Sequence, residues 1–169
     1  MSLILMLRRL VAPLSRSQWF RSAAPKFLPP AERALKFLTG GRLIVSGILV
    51  PSLALHSTGA KTGEPRTTEL MYTPDGNGGG IIAGTNFARN NHPGWTVNLR
   101  AHPDAEVVVR GRRYPVHAEL LDDLDREAAW ARIEKQWPGY RAYERDSGRK
   151  VRLFRLTTTA QPSPFTHRL

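Results

Sequence analysis

The chain has 169 residues, no cysteine and a formal net charge of +11. Its length suits one domain with its own core, and the missing thiols exclude disulfides, cysteine nucleophiles and cysteine-ligated zinc or iron–sulfur centres. So basic a chain suggests nucleic-acid binding, and the position of the charge decides that question.

Residues 1–42 hold Arg8, Arg9, Arg16, Arg21, Lys26, Arg33, Lys36 and Arg42 against the single acid Glu32, a net +7, which leaves +4 for the body. A secretory signal places charge before its apolar stretch, whereas Leu3-Ile4-Leu5-Met6-Leu7 comes before Arg8. That run is also far shorter than the roughly 20 apolar residues of a membrane span. An acid-poor start rich in arginine and serine fits an organellar transit peptide. Leu3, Leu7, Leu10 and Leu14 at helical spacing, followed by Trp19-Phe20, fit an amphipathic arm on an anionic membrane surface. A solubilising tail carries equal weight with that second reading. The corresponding location is cytoplasmic, peripheral on the inner face of the plasma membrane where the arm binds lipid. With the charge in the arm and no base-reading motif in the body, nucleic acid is not an expected partner.

Pro29-Pro30 closes the arm, and Ala31 to Leu38 reads as a short helix ended by Gly40-Gly41. Core strands are expected at Ser52–Ser57, Arg66–Thr73 and Ile81–Thr85, with Pro74-Asp75-Gly76 as a hairpin signal. A helix follows from Pro93 to Arg100. Strands at Ala105–Arg110 and Arg113–Leu120 flank a turn at Gly111-Arg112. Asp122 or Asp123 caps a helix whose apolar face is Ala128, Ala129, Ile133 and Trp137. Pro138 breaks it, Tyr140 to Asp146 forms a second short helix, and Val151–Leu156 is the last strand. The segments are an arm at 1–42, a folded body at 43–159 and a loose tail at 160–169. Six short, mostly antiparallel strands with helices between them need closure to protect their edges, and a small barrel with packed helices supplies it. No Gly-x-Gly-x-x-Gly or Walker lysine motif points to a doubly wound nucleotide fold.

Four segments are candidate sites. In Ser57-Thr58-Gly59-Ala60-Lys61-Thr62-Gly63-Glu64-Pro65-Arg66, two glycines, open backbone N–H groups and the cations Lys61 and Arg66 suit a phosphate or phosphodiester. A flexible hairpin loop with solvated cations has slightly better odds on that pattern alone. The small residues Ala83 and Gly84 leave room for a flat ring, and Thr85 and Asn86 can bond its heteroatoms; close packing is the alternative. In Asn90-Asn91-His92-Pro93-Gly94-Trp95, running on to Asn98, the helix start suits an anion, while Trp95 is equally a core residue. Tyr140 and Tyr143, three apart, share a helix face that can line a substrate pocket and donate a proton; core packing is the alternative. His92, His102 and His117 show no metal-ligand spacing, and no metal is expected.

These segments, in this order from about Pro51 to Leu156, resemble the deazaflavin-dependent nitroreductase family. The resemblance implies a split β-barrel, mainly β with packed helices, that binds the reduced 8-hydroxy-5-deazaflavin coenzyme F-420. It implies that Ala60, Lys61, Thr62 and Arg66 hold the coenzyme's phosphodiester and polyglutamate tail. Ala83, Gly84, Thr85 and Asn86 would carry the ring, Gly94, Trp95 and Asn98 would close over it, and Tyr140 and Tyr143 would face the substrate. Some members of the family carry a membrane-associating N-terminal segment. Ala60 stands where the family often has arginine, Thr96 where an aromatic residue is common, and Trp137 where some members have a third tyrosine.

The expected activity is hydride transfer from the reduced coenzyme to a small-molecule acceptor: a quinone, a nitroaromatic or a similar electron-poor compound. Thr85 would polarise, and Tyr140 or Tyr143 would supply a proton. Two alternatives accompany it: an FMN-binding split barrel, whose ligand has no long acidic tail for Lys61 and Arg66, and a non-enzymatic basic module at a membrane surface. The sequence leaves the oligomeric state open.

Overall fold

The computed structural model describes residues 51–166. The arm at 1–42, the helix expected at 31–38 and the first residues of the body expected at 43–159 lie outside the described residues.

The chain runs β1 (Ser52–Thr58), β2 (Pro65–Met71), β3 (Thr73–Pro74), β4 (Gly80–Ala83), a 3-10 turn (Asn86–Ala88), α1 (Gly94–Ala101), β5 (Asp104–Val109), β6 (Arg112–Leu120), α2 (Asp123–Gln136), α3 (Ala142–Ser147) and β7 (Leu153–Thr157). Among the described residues the strands form one antiparallel sheet in the order β2-β1-β5-β6-β7-β4-β3. The expected strand Arg66–Thr73 is therefore two strands. The chain breaks at Tyr72, whose N–H donates to Pro51 O at 3.0 Å. Since β2 and β3 lie at opposite edges of the sheet yet are one residue apart in the chain, the sheet has to roll back on itself. This rolling produces the split barrel.

Alternation explains most inward residues. Leu53 and Leu55 of β1, Val107 and Val109 of β5, and Val116 and Ala118 of β6 are buried on one face. The leucine and valine side chains among them each contribute about 1.5–3 kcal/mol against exposure. Pro115 sits in β6 opposite Glu106 of β5, outside the stretch of β6 that pairs with β7, so its missing N–H breaks no ladder bond. The β5–β6 turn is Arg110-Gly111, one residue before the expected pair, with φ 51° and 77°. Two left-handed residues match the twist of the flanking strands.

β4 and β7 are buried on both faces. Ile82 and Phe154 face the barrel interior, while Ile81 and Leu153 meet α2. The Asp122 carboxylate caps α2 by accepting from Leu124 N at 3.0 Å and Asp125 N at 3.1 Å; such a cap is worth about 1 kcal/mol. The buried face of α2 is Arg126, Ala129, Trp130 and Ile133. Ala128 is exposed and Trp137 lies at the C-cap, half-buried, so the helix is turned from the expected face toward Trp130.

The segment after Thr159, expected to be loose, packs as far as Thr166. Phe165 is 1% exposed and its ring meets Tyr72 edge-on, with centroids 5.4 Å apart. A Cβ on Gly80 would lie 2.6 Å from Phe165 Cδ1, so the glycine makes the space for this ring.

Candidate active site

The β1–β2 loop is held mostly by its own backbone. Gly59 N–H donates to Glu64 O and Gly63 N–H to Gly59 O, both at 2.8 Å, and Glu64 N–H reaches Thr62 Oγ1 at 3.3 Å. A Cβ on Gly59 would stand 2.7 Å from Thr62 Oγ1, and Gly63 has φ +70°, so both positions call for glycine. Asn98 of α1 secures the loop from outside. Its Oδ1 accepts from Ala60 N at 3.0 Å and its Nδ2 donates to Ser57 Oγ at 3.3 Å. The open row of N–H groups expected here is thus largely consumed. The exposed cations Lys61 and Arg66 remain, neither in an ion pair with a described residue.

β4 stops at Ala83, two residues earlier than expected, and Gly84 leaves the sheet with its N–H on Arg152 O at 2.9 Å. A Cβ on Gly84 would lie 2.7 Å from Thr96 Cγ2. The room expected at Gly84 for a ring is therefore taken by α1. One helix thus touches both candidate regions, with Asn98 on the β1–β2 loop and Thr96 on the end of β4. Next, Asn86, Phe87 and Ala88 have φ 50°, 53° and 59°. Three consecutive non-glycine residues in this conformation cost about 1–2 kcal/mol each. Asn86 Nδ2 braces the turn on Asn91 O at 2.9 Å. The carbonyls of Gly84 and Thr85 both accept from Arg149 Nη2, at 2.9 and 2.7 Å.

Tyr140 lies in the turn between α2 and α3, since α3 starts at Ala142 instead of Tyr140. The Glu134 carboxylate fixes the turn by accepting from Gly139 N at 3.0 Å and Arg141 N at 2.6 Å. The Tyr140 hydroxyl lies 3.3 Å from Thr85 Oγ1, and its ring meets the Tyr143 ring edge-on at 5.3 Å. Burial pushes the Tyr140 phenol up to about 12, with the Thr85 hydrogen bond acting the other way. Thr85 is itself 7% exposed. A narrow cleft with about 20 Å³ of water-accessible space opens beside Tyr140, lined by Met71, Ile81, Ala83, Ile133 and Trp137 together with Thr73 and Gln136.

The structure thus brings Thr85, Tyr140 and Tyr143 together, and it brings Ala60 to Asn98. Trp95 turns inward, 6% exposed, onto the Phe154 ring, while Gly94 is exposed at the start of α1. Sequence reasoning missed Arg149 and Glu134: Arg149 acts on carbonyls 64 and 65 positions away, Glu134 on amides only five and seven positions on, and neither lies in a recognisable pattern. Among the described residues no group of three His, Asp or Glu could hold a metal, and no helix is long and apolar enough to cross a membrane.

α1 therefore joins the cationic β1–β2 loop, through Asn98, to the strand end that leads into the Thr85–Tyr140 hydroxyl pair, through Thr96 against Gly84. Residues 33–158 match the family of F420H(2)-dependent quinone reductases, and the chain belongs to that family. It is 38% identical over 110 residues to an F420H(2)-dependent quinone reductase of Mycobacterium tuberculosis, covering 63% of this chain and 73% of the relative. Among solved structures, an F420-H2 dependent reductase superposes with a TM-score of 0.56 at 27% identity, covering 63% of this chain and 94% of that one. Another, described as a domain-swapped dimer, gives 0.59 at 26% identity over 76% and 95% of the two chains. The protein is accordingly an oxidoreductase that uses reduced coenzyme F-420.

Proposed function

We propose that Thr85, Tyr140 and Tyr143 form the reaction centre for a quinone acceptor, and that Lys61, Thr62 and Arg66 hold the acidic tail of the coenzyme. The carrying observation is the Thr85–Tyr140 hydroxyl pair, 3.3 Å apart, beside an apolar cleft at the end of β4. The residues present fit the coenzyme: two exposed cations, in no ion pair with a described residue, suit an anionic tail, and the desolvated hydroxyls suit a polar ring edge.

When bound, the reduced coenzyme supplies a hydride from C5. A quinone that receives it becomes a hydroquinone anion and needs one further proton. Tyr140 is a protonated phenol throughout the neutral range and is placed to give that proton, to be recovered from solvent. Thr85 orients the phenol, and Tyr143 fixes the ring of Tyr140 edge-on. Met71, Ile133 and Trp137 give the cleft an apolar wall, which favours a flat apolar acceptor. Mixing the protein with reduced coenzyme and a soluble quinone under anaerobic conditions tests this reading. One coenzyme oxidised per hydroquinone formed is expected, whereas coenzyme binding without turnover on any quinone overturns the acceptor class.

Residues 1–42, with net charge +7, are proposed to bring the protein to an anionic membrane surface, where apolar quinones reside. Flotation of the full chain with anionic vesicles at low salt, and not with zwitterionic vesicles, is the expected result. Equal behaviour with both removes that role.

A further inference from the structure

Arg149 lies just before β7, and its guanidinium gathers four acceptors from the segment after β4. Nη2 donates to Gly84 O and Thr85 O, Nε donates to Arg89 O at 3.0 Å, and Nη1 faces His92 Nδ1 at 3.1 Å. Between these anchors lie the three left-handed residues Asn86, Phe87 and Ala88. A strained turn persists only where its surroundings over-determine it, and here one side chain grips both of its ends. The His92 contact also fixes a proton. Arginine carries donors only, so Nδ1 must be the acceptor and the ring proton must sit on Nε2. A protonated imidazole would set N–H against N–H and place a cation beside the guanidinium.

We propose that Arg149 is a positioning residue for the reductase reaction, and that its grip on the Thr85 segment requires His92 to be neutral. Protonation of His92 releases one arm of the guanidinium and lets the strained turn, with Thr85 at its start, move away from Tyr140. The proposal rests on Thr85 belonging to the reaction centre. The charged groups around His92 agree with it. Burial first, then Arg152, Arg149 and Arg100, all disfavour the imidazolium. Arg152 donates to Thr96 Oγ1 at 3.1 Å, and among the described residues Glu144 of α3 is the acid that acts on Arg149. The grip is therefore closed at neutral pH and opens only below the ordinary histidine value of 6.5.

The test is the pH profile of turnover from about pH 5 to 8, with coenzyme affinity and melting temperature measured alongside. Wild-type turnover should fall below pH 6.5 as one proton binds. His92→Asn keeps an acceptor for Arg149 without titrating, so that acid limb should vanish relative to the variant's own value at high pH. Arg149→Met should lower kcat at every pH by roughly 10- to 100-fold, the scale of a small misplacement, with a smaller change in coenzyme affinity, since the tail contacts of Lys61, Thr62 and Arg66 are untouched. Arg149→Lys should recover little, because one ammonium cannot serve four acceptors. An acid limb unchanged in His92→Asn, or an Arg149→Lys protein with wild-type kcat, overturns the proposal. Thr85→Val separates the two failures. If it leaves kcat intact, the reading of Thr85 is at fault; if it lowers kcat while the Arg149 variants do not, the grip is at fault.

Discussion

Thr85 Oγ1 and Tyr140 Oη stand 3.3 Å apart, although 55 positions separate the two residues in the chain. The contact joins the end of a barrel strand to a turn between two helices, and it leaves the phenol in a desolvated place. Burial raises the Tyr140 pKa from 10.0 to about 12, so the proton is retained as pH rises through the ordinary tyrosine range. Two outcomes follow. Tyr140→Phe should lose about 10² in turnover, the low end of what a positioned proton donor contributes, with a smaller change in coenzyme affinity. In addition, ultraviolet titration at pH 10.0 should show less ionisation in the wild type than its tyrosine count implies, and a wild-type minus Tyr140→Phe difference should show that this phenol is still protonated. Half-ionisation of that residue at pH 10.0 would contradict its desolvation.

Lys61 and Arg66 are exposed, and their attraction for an acidic tail acts through water. Each such pair is worth about 0.2–1 kcal/mol. Arg66→Ala should therefore weaken coenzyme binding roughly two- to fivefold at low ionic strength. The difference should shrink as salt rises, because screening sets in over about 10 Å at 0.1 M. Asn98→Ala should weaken binding without changing the salt dependence, since it frees the Ala60 N–H and the Ser57 hydroxyl and loosens the loop. Fluorescence titration of the coenzyme at several salt concentrations separates the two effects, and a salt-independent Arg66→Ala defect would argue against an electrostatic role.

Gly84 and Thr96 make a sharper steric test. A Cβ at Gly84 would stand 2.7 Å from Thr96 Cγ2, and its next neighbours are Arg152 O and Pro93 Cγ at 3.4 Å. Gly84→Ala should cost about 1–3 kcal/mol through overpacking. Thr96→Ser removes the clashing methyl and keeps the hydroxyl that donates to Pro93 O and accepts from Arg152. The double variant should recover most of the loss, visible as a favourable coupling energy in denaturant unfolding. Additive losses would mean that the packing of α1 on β4 does not depend on this contact.

How much of this could be read from the sequence depends on the range of the cause. The Asp122 cap, the β3–β4 hairpin and the α-helical residues 94–101 follow from local chemistry, and the sequence declares them. Tyr72 breaks one expected strand into two because the sheet must roll, and a rolling sheet leaves no local signature. Site residues divide in the same way. The Lys61 loop and the Tyr140 turn are contiguous patterns. Arg149 acts on carbonyls more than 60 positions away and looks like any surface arginine until the fold brings it to Gly84 and Thr85.

Phe165 looked like part of a loose end for the same reason. Its burial depends on Gly80, which has no side chain to fill the space, and on Tyr72, whose hydroxyl donates to Pro164 O at 3.4 Å. Ser163 Oγ adds a bond to Gly78 O at 2.5 Å, so the segment ties down the β3–β4 hairpin. Phe165→Ala opens a cavity that a rigid glycine floor cannot fill, and it should cost about 3–5 kcal/mol. The effect should appear as a lower denaturant midpoint with an unchanged slope, because the surface exposed on unfolding hardly alters. Residual activity below the transition should keep its coenzyme affinity, since Lys61 lies on the β1–β2 loop and Arg66 at the start of β2, neither of them in this hairpin. A wild-type midpoint in Phe165→Ala would show that the C-terminal segment adds nothing to closing the barrel.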